Sequence, residues 1–381
     1  MTTLQTTLHT PEVTWSDIDG QRCARWLSPS SQPPASAGAV GDQTTAAAAL
    51  ARARVGEGLV YRGDYHNARQ LLAAMARRLG GRGPGRATDP GSTFRRQRSQ
   101  TRLEHEVLSR LLVPIGAEYR VDLLRAPDVR AACEEALGQP PSGPSLLPLR
   151  DLLGILGAHE WRRRGVEVPA LGARVHPHYG VFAPIRGEHV DLVARAAERW
   201  PVTGKTAIDV GTGTGVLALV LARRGATVIA TDLSPRAVAC ARENAAALGL
   251  AAAVDVREAD LFPGESAELV ISNPPWLPAE AHTLLDRAVY DPGGRFLERL
   301  VADLPAALRP GGEGWIVISD LAELLGLRPA GHVEALAARS GLVVSDVLDA
   351  RPSHPRARDR DDALHEVRSR EVTRLLRLRR G

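Results

Sequence analysis

The chain is short of lysine, cysteine, aromatic residues and long apolar runs. Of its 48 basic residues only Lys205 is a lysine. Alongside the many Ala, Gly and Pro residues, that bias reflects base composition and carries no chemistry. The three cysteines, Cys23, Cys133 and Cys240, are odd in number and far apart. That excludes a disulfide framework or a zinc spacing, and Cys240 reads as a small core residue. No apolar run reaches the roughly 18 residues of a membrane-spanning helix, and no charged-then-apolar leader opens the chain. These absences predict a cytoplasmic protein with no metal and no membrane partner. The net charge is only +4, with a pI near 9.3, which permits nucleic-acid contact without requiring it.

What is present is the composition of a globular protein, 44% hydrophobic and 24% charged, and its 381 residues suffice for two domains. Residues 1–165 read as a mainly helical domain without evident chemistry. Helices are expected at 15–27, 44–54, 102–112, 128–137 and 146–164, with another to about 79 capped by Asp64. Residues 1–10 read as a frayed terminus, and 28–41, 80–92 and 138–144 as loops. Between Arg77 and Arg102 stand eight arginines and one acid, Asp89. That patch reads either as an RNA-phosphate contact or as a solvated loop. With Phe94 alone interleaved it lacks the stacking platform of single-strand binders.

The second part, 166–381, carries four pieces, each at the end of an apolar run, where open α/β sheets line a ligand crevice. The first is Asp209-Val210-Gly211-Thr212-Gly213-Thr214-Gly215. Its glycines permit positive φ and close approach, and the helix that follows offers free N–H groups to an anionic group. A dinucleotide fingerprint would place its third glycine at position 216, where Val216 stands. The second piece ends in Asp232, about 20 residues after the first glycine, suited to accept from ribose hydroxyls. Ser234-Pro235 then caps a helix. The third is Ala259-Asp260-Leu261-Phe262. The fourth, Ser272-Asn273-Pro274-Pro275-Trp276, is the most specific. Its prolines end the strand and turn the Asn273 side chain and the next carbonyl the same way. Two acceptors can then take both hydrogens of an –NH₂ group and aim its lone pair at an electrophile. Trp276 offers a flat face to a planar group or a developing cation.

In their order these pieces resemble the class I S-adenosylmethionine-dependent methyltransferases. The Asn-Pro-Pro-aromatic stretch is similar to that of the HemK-type and "methyltransferase small" N-methyltransferases, over roughly residues 175–320. The resemblance implies a Rossmann-like, doubly wound α/β domain with S-adenosyl-L-methionine as cofactor. Gly211, Gly213 and Gly215 would wrap its methionine part, Asp232 would hold the ribose, and Asp260 with Leu261 would meet the adenine. Asp209, Thr212, Leu233 and Phe182 join that set, and Asn273 borders both ligands. Asn273, Pro274 and Trp276 form the expected catalytic group. The stretch 175–188 matches the family segment over the substrate mouth, which makes Tyr179, Pro184, Arg186 and Glu188 substrate candidates. Tyr290, in a polar stretch after Trp276, is a further one. Nearby His176 and His178 lack a third ligand for a metal.

The expected reaction is methyl transfer to an amide or amine nitrogen. Protein glutamine, a nucleobase amine and a small-molecule amine stay open as acceptors, so the partner is a protein, an RNA or a metabolite. The helical domain, longer than its counterpart in that family, would recognise the substrate. Two other classes stay open: an enzyme that consumes the cofactor by cyclisation to methylthioadenosine, and a non-catalytic binding module.

Overall fold

A computed structural model describes residues 11–17, 20–80, 87, 89–351 and 359–381. The expected frayed terminus lies outside them, as does most of the loop carrying Arg82 and Arg86. The chain divides into two compact units, Met1–Pro84 with Arg96–His159, and Gly85–Arg95 with Glu160–Gly381.

In the first unit, six strands close into a barrel. They are β1 (Glu12–Asp17), β2 (Gly20–Trp26), β3 (Ala37–Gly41), β4 (Gly58–Arg62), β5 (Leu111–Ile115) and β6 (Ser145–Pro148), in the order β1-β2-β6-β5-β4-β3. Helices α1 (Ala46–Arg54), α2 (Tyr65–Gly80), α3 (Pro90–Leu108), α4 (Arg130–Leu137) and α5 (Leu149–Arg164) come between or after them. This corrects the expectation of a mainly helical domain. Residues 15–27 are not a helix; they belong to the β1–β2 hairpin, which buries Val13 and Trp15 on one strand and Ala24 and Trp26 on the other. Residues 111–112 and 146–148, read as helix ends, belong to the buried strands β5 and β6. Asp64 does cap α2, accepting from the His66 N–H at 2.8 Å. The division between units falls at 159/160 rather than 165/166, and residues 85–95 go with the second unit.

The second unit begins with the ribbon β7 (Val166–Val168) and β8 (Ala173–Val175), then α6 (Glu188–Arg199). Strands β9 (Thr206–Val210), β10 (Thr227–Asp232), β11 (Val254–Glu258), β12 (Ala267–Ser272), β13 (Leu308–Ser319), β14 (Leu342–Ala350) and β15 (Thr373–Arg380) form one sheet. Its order is β11-β10-β9-β12-β13-β15-β14, with β15 antiparallel to both neighbours. The helices are α7 (Val216–Arg223), α8 (Pro235–Ala247), α9 (Arg295–Ala307), α10 (Leu321–Leu324), α11 (His332–Arg339) and α12 (His365–Arg368). Alternate residues along each central strand face opposite cores, as strand geometry requires. Ala207, Leu269 and Ile271 pack with α6, α7 and α8, while Ile208, Val270 and Ile316 pack with α9 and α11. This is the expected doubly wound fold. The chain builds β10 and β11 on one side of β9, then crosses to β12 on the other. The carboxyl ends of β9 and β12 therefore flank the switch point, where such sheets bind ligands. No described helix is long and apolar enough to cross a membrane.

Candidate functional site

A cavity of about 440 Å³ opens at that switch point. The loop after β9 forms its floor. Gly211, Gly213 and Gly215 have φ of +74°, +56° and +82°, conformations that residues with a Cβ adopt only under strain. A Cβ on Gly213 would meet nothing within 4 Å, so that backbone faces open space. At Gly215 a Cβ would come within 3.1 Å of the Ala241 Cβ on α8. Gly215 is therefore small for helix packing, and it does not line the cavity.

Carboxylates brace this loop. Asp209, buried at the end of β9, accepts from the Thr212 hydroxyl at 2.6 Å and from the Ala218 N–H at 3.1 Å. Asp232 accepts from the Gly213 N–H at 3.0 Å and from the Ser234 N–H at 2.9 Å. The Gly211 and Thr212 N–H groups both reach the Thr231 carbonyl at 2.9 Å. Burial pushes the Asp232 carboxyl upward despite those two donors, and it pushes Asp209 up to about 6.

The Asp209 shift has a measurable consequence. Its folded pKa lies about two units above the ordinary 3.8, and each unit is worth about 1.4 kcal/mol. The folded state therefore holds this proton more tightly than the unfolded chain. The resulting stability, on the order of 3 kcal/mol, is fully present below pH ~4 and lost as pH rises through ~6. Urea unfolding between pH 4 and 7 should show this fall in the wild type and a clearly smaller one in Asp209→Asn. Parallel curves for the two proteins would contradict the assignment.

The far wall comes from the ends of β10, β11 and β12. Leu233 and Asp260 line it, as does Leu261, at a φ of +71°. Such a conformation is costly for leucine, about 1–2 kcal/mol, and the Thr231 hydroxyl holds it by donating to the Leu261 carbonyl at 2.6 Å. The Asp260 carboxylate is engaged by the Arg299 guanidinium, at 3.0 and 3.3 Å. Asn273 and Pro275 reach the cavity from the fourth motif, and Phe182 from the segment before α6.

Trp276 does not stack along this cavity. Its indole N–H donates to the Asn273 Oδ1 at 3.0 Å, and the Arg186 guanidinium carbon stands 5.9 Å from its ring centroid. Pro274 is buried. Tyr179, Arg186, Glu188 and Tyr290 also lie off the cavity wall. Tyr179 has the Arg236 guanidinium 5.7 Å from its ring, and Tyr290 bridges to Leu277. Glu188 is buried in the first turn of α6, with its carboxylate 3.7 Å from Arg186. His176 and His178 anchor the segment above the loop. The His176 N–H donates to the Asn244 Oδ1 at 2.8 Å, and the His178 ring meets Glu243 at 2.8 Å.

The residues 173–342 match the family model described as the methyltransferase small domain. That stretch carries the methyltransferase small domain. A release factor glutamine methyltransferase of Cereibacter sphaeroides is 40% identical over 161 residues, 38% of this chain and 56% of that protein. Another, of Deinococcus radiodurans, is 46% identical over 121 residues, 28% of this chain and 42% of that protein. A Methanocaldococcus jannaschii protein named for N5-glutamine methylation is 28% identical over 187 residues, 46% of this chain and 91% of that protein. The chain spans about half the length of the first two relatives, so what the whole protein acts on is argued below.

Within the methyltransferase domain, several wall residues carried no motif. His189, Arg236, Leu284, Arg287 and Phe296 all line the cavity. Burial holds the His189 imidazole down at about 4 and so neutral near pH 7. Leu284 and Arg287 belong to the excursion after Trp276. That excursion is pinned at its base by Leu277 N–H to Val289 carbonyl (3.1 Å) and Asp291 N–H to Leu277 carbonyl (2.8 Å). Periodicity cannot show such a loop folding back onto a wall. Asp291 caps the helix that follows, accepting from the Phe296 and Leu297 N–H groups at the start of α9.

Proposed function

We propose that this protein transfers the methyl group of S-adenosyl-L-methionine to the side-chain amide nitrogen of a glutamine in a protein, in the cytoplasm. The observation that carries this reading is that Asn273 lines the same cavity as Gly213 and Asp232. Cofactor-type and acceptor-type groups thus share one chamber. The names of the relatives support glutamine as the acceptor and a polypeptide release factor as the partner. Neither the cyclising reading nor the non-catalytic one draws support from them.

The chamber suits the cofactor. The open backbone face at Gly213 would admit its methionine part. Asp232, whose two oxygens each accept one backbone N–H, keeps lone pairs for ribose hydroxyls. Leu233, Leu261 and Phe182 would flank the adenine. When bound, the cofactor supplies an electrophilic methyl on a sulfonium. Asn273 Oδ1 and the Pro274 carbonyl would accept the two amide hydrogens and stabilise the partial positive charge that grows on the nitrogen. Holding the reacting atoms close and aligned supplies much of the acceleration, so no strong base is needed. The proton can leave afterwards to water. The first unit would recognise the substrate protein.

Methyl-labelled cofactor tests the reading. Incubated with a recombinant release factor, the enzyme should label a glutamine and release equimolar S-adenosylhomocysteine. Calorimetry should show binding of S-adenosylhomocysteine and none of NAD. The reverse binding preference would end the cofactor assignment. Label that enters RNA and not the release factor would end the acceptor assignment.

A further inference from the structure

We propose that Trp276 is a positioning residue whose indole N–H locks the amide plane of Asn273, so that the oxygen and not the –NH₂ serves the methyl acceptor. This rests on the methyl-transfer reading above but assigns the tryptophan a part unlike the stacking face its ring suggests. The indole nitrogen is a donor only. At 3.0 Å it faces the Asn273 Oδ1. Turned by 180°, the amide would set its own N–H₂ against that N–H, donor against donor. The oxygen has two lone pairs, of which the indole takes one and leaves the other for an incoming –NH₂. An asparagine without such a partner populates both orientations, and in the turned one it offers a donor where the acceptor's hydrogens must go.

A lock works only if the donor is itself fixed, and the surroundings fix it from two sides. The Arg328 guanidinium, half-buried in the turn after α10, donates to the Trp276 carbonyl at 2.5 Å. The Arg186 guanidinium stands 5.9 Å from the ring centroid. Two carboxylates hold that guanidinium loosely, Glu188 at 3.7 Å and Glu371 at 3.6 Å. Glu371 in turn accepts from the Ser319 hydroxyl at 2.7 Å. One cation thus holds the Trp276 backbone and another stands by a ring that does not line the cavity. That arrangement is wasteful for a stacking face and apt for holding a donor.

Trp276→Phe keeps the ring and removes the N–H. With the release factor as acceptor, its kcat should fall about five- to tenfold, the scale of one lost hydrogen bond. The KM for the release factor and the Kd for S-adenosylmethionine should stay unchanged. In an Asn273→Asp background both terminal atoms accept, so orientation has no meaning and Trp276→Phe should cost less than about twofold. The same loss in both backgrounds would show that the ring acts by packing. A raised KM with unchanged kcat would show that it stacks on substrate. Either outcome overturns the proposal. A second measurement needs no acceptor: in ¹⁵N-tryptophan spectra, Asn273→Ala should move the Trp276 indole proton upfield, and an unmoved resonance overturns the lock. If the wild type labels no release factor, the glutamine reading fails, and the spectra alone decide the hydrogen bond.

Discussion

Asn273→Ala is expected to leave the affinity for S-adenosylmethionine nearly unchanged and to cut turnover by roughly 10²-fold or more. The two halves of that expectation have separate causes. On the proposed reading, binding energy for the cofactor would come from the glycine loop, Asp232 and the apolar wall at Leu233 and Leu261, which line the cavity beside Asn273. On the proposed mechanism turnover would depend on aiming one lone pair, and alanine would remove one of the two acceptors that aim it. The substitution also leaves the Trp276 N–H without its acceptor, so the loop after β12 should loosen slightly. Asn273→Asp should keep part of the activity, because a carboxylate still accepts from –NH₂ and still receives the indole. Calorimetry with S-adenosylhomocysteine and steady-state turnover on the release factor separate the effects. A wild-type rate in Asn273→Ala would remove the amide from the reaction and leave the Asn-Pro-Pro-Trp stretch as a turn.

The parts of the molecule legible in the sequence are those whose signals are local. The glycine spacing, Asp232 and the Asn-Pro-Pro-Trp stretch each sit at a strand end, and the doubly wound sheet brings Asn273, Gly211, Gly213 and Asp232 to one cavity. Glycines do not announce which of two jobs they do. Gly213 faces open space, whereas Gly215 lets α8 approach, a contact 26 residues away in the chain at Ala241. The barrel of the first unit was illegible for a related reason. Strands as short as 145–148 and 111–115 carry only brief apolar runs, indistinguishable by period from a buried helical turn. What makes them strands is pairing with partners far along the chain, as when Trp26 meets Leu146. Trp276 carries two signals at once: its indole has both a face and a donor, and the fold sets the donor 3.0 Å from the Asn273 Oδ1.

Asp232→Ala should weaken S-adenosylmethionine binding by roughly 1.5–3 kcal/mol, about ten- to 150-fold, the worth of hydrogen bonds to a charged group. The carboxylate holds two backbone donors, Gly213 N–H through Oδ2 and Ser234 N–H through Oδ1. One belongs to the loop on which the methionine part would rest, the other to the cap of α8. Alanine therefore strips the ribose of its acceptor and releases the middle of the glycine loop together. Asp232→Asn separates the two effects. Its single oxygen can still take one backbone N–H, while its –NH₂ would face the other. Loop support should then survive in part while the charge facing the ribose is gone. If the charge at the ribose dominates, Asn binds nearly as weakly as Ala. If loop support dominates, Asn lies close to the wild type. Burial already pushes the Asp232 carboxyl upward, so affinity should decline as the pH is lowered and the carboxylate takes up its proton, a decline that both variants should lack. Calorimetric titrations at neutral and mildly acidic pH read all three expectations. An unchanged affinity in folded Asp232→Ala would take this carboxylate out of the cofactor site and leave it as a brace between the glycine loop and α8.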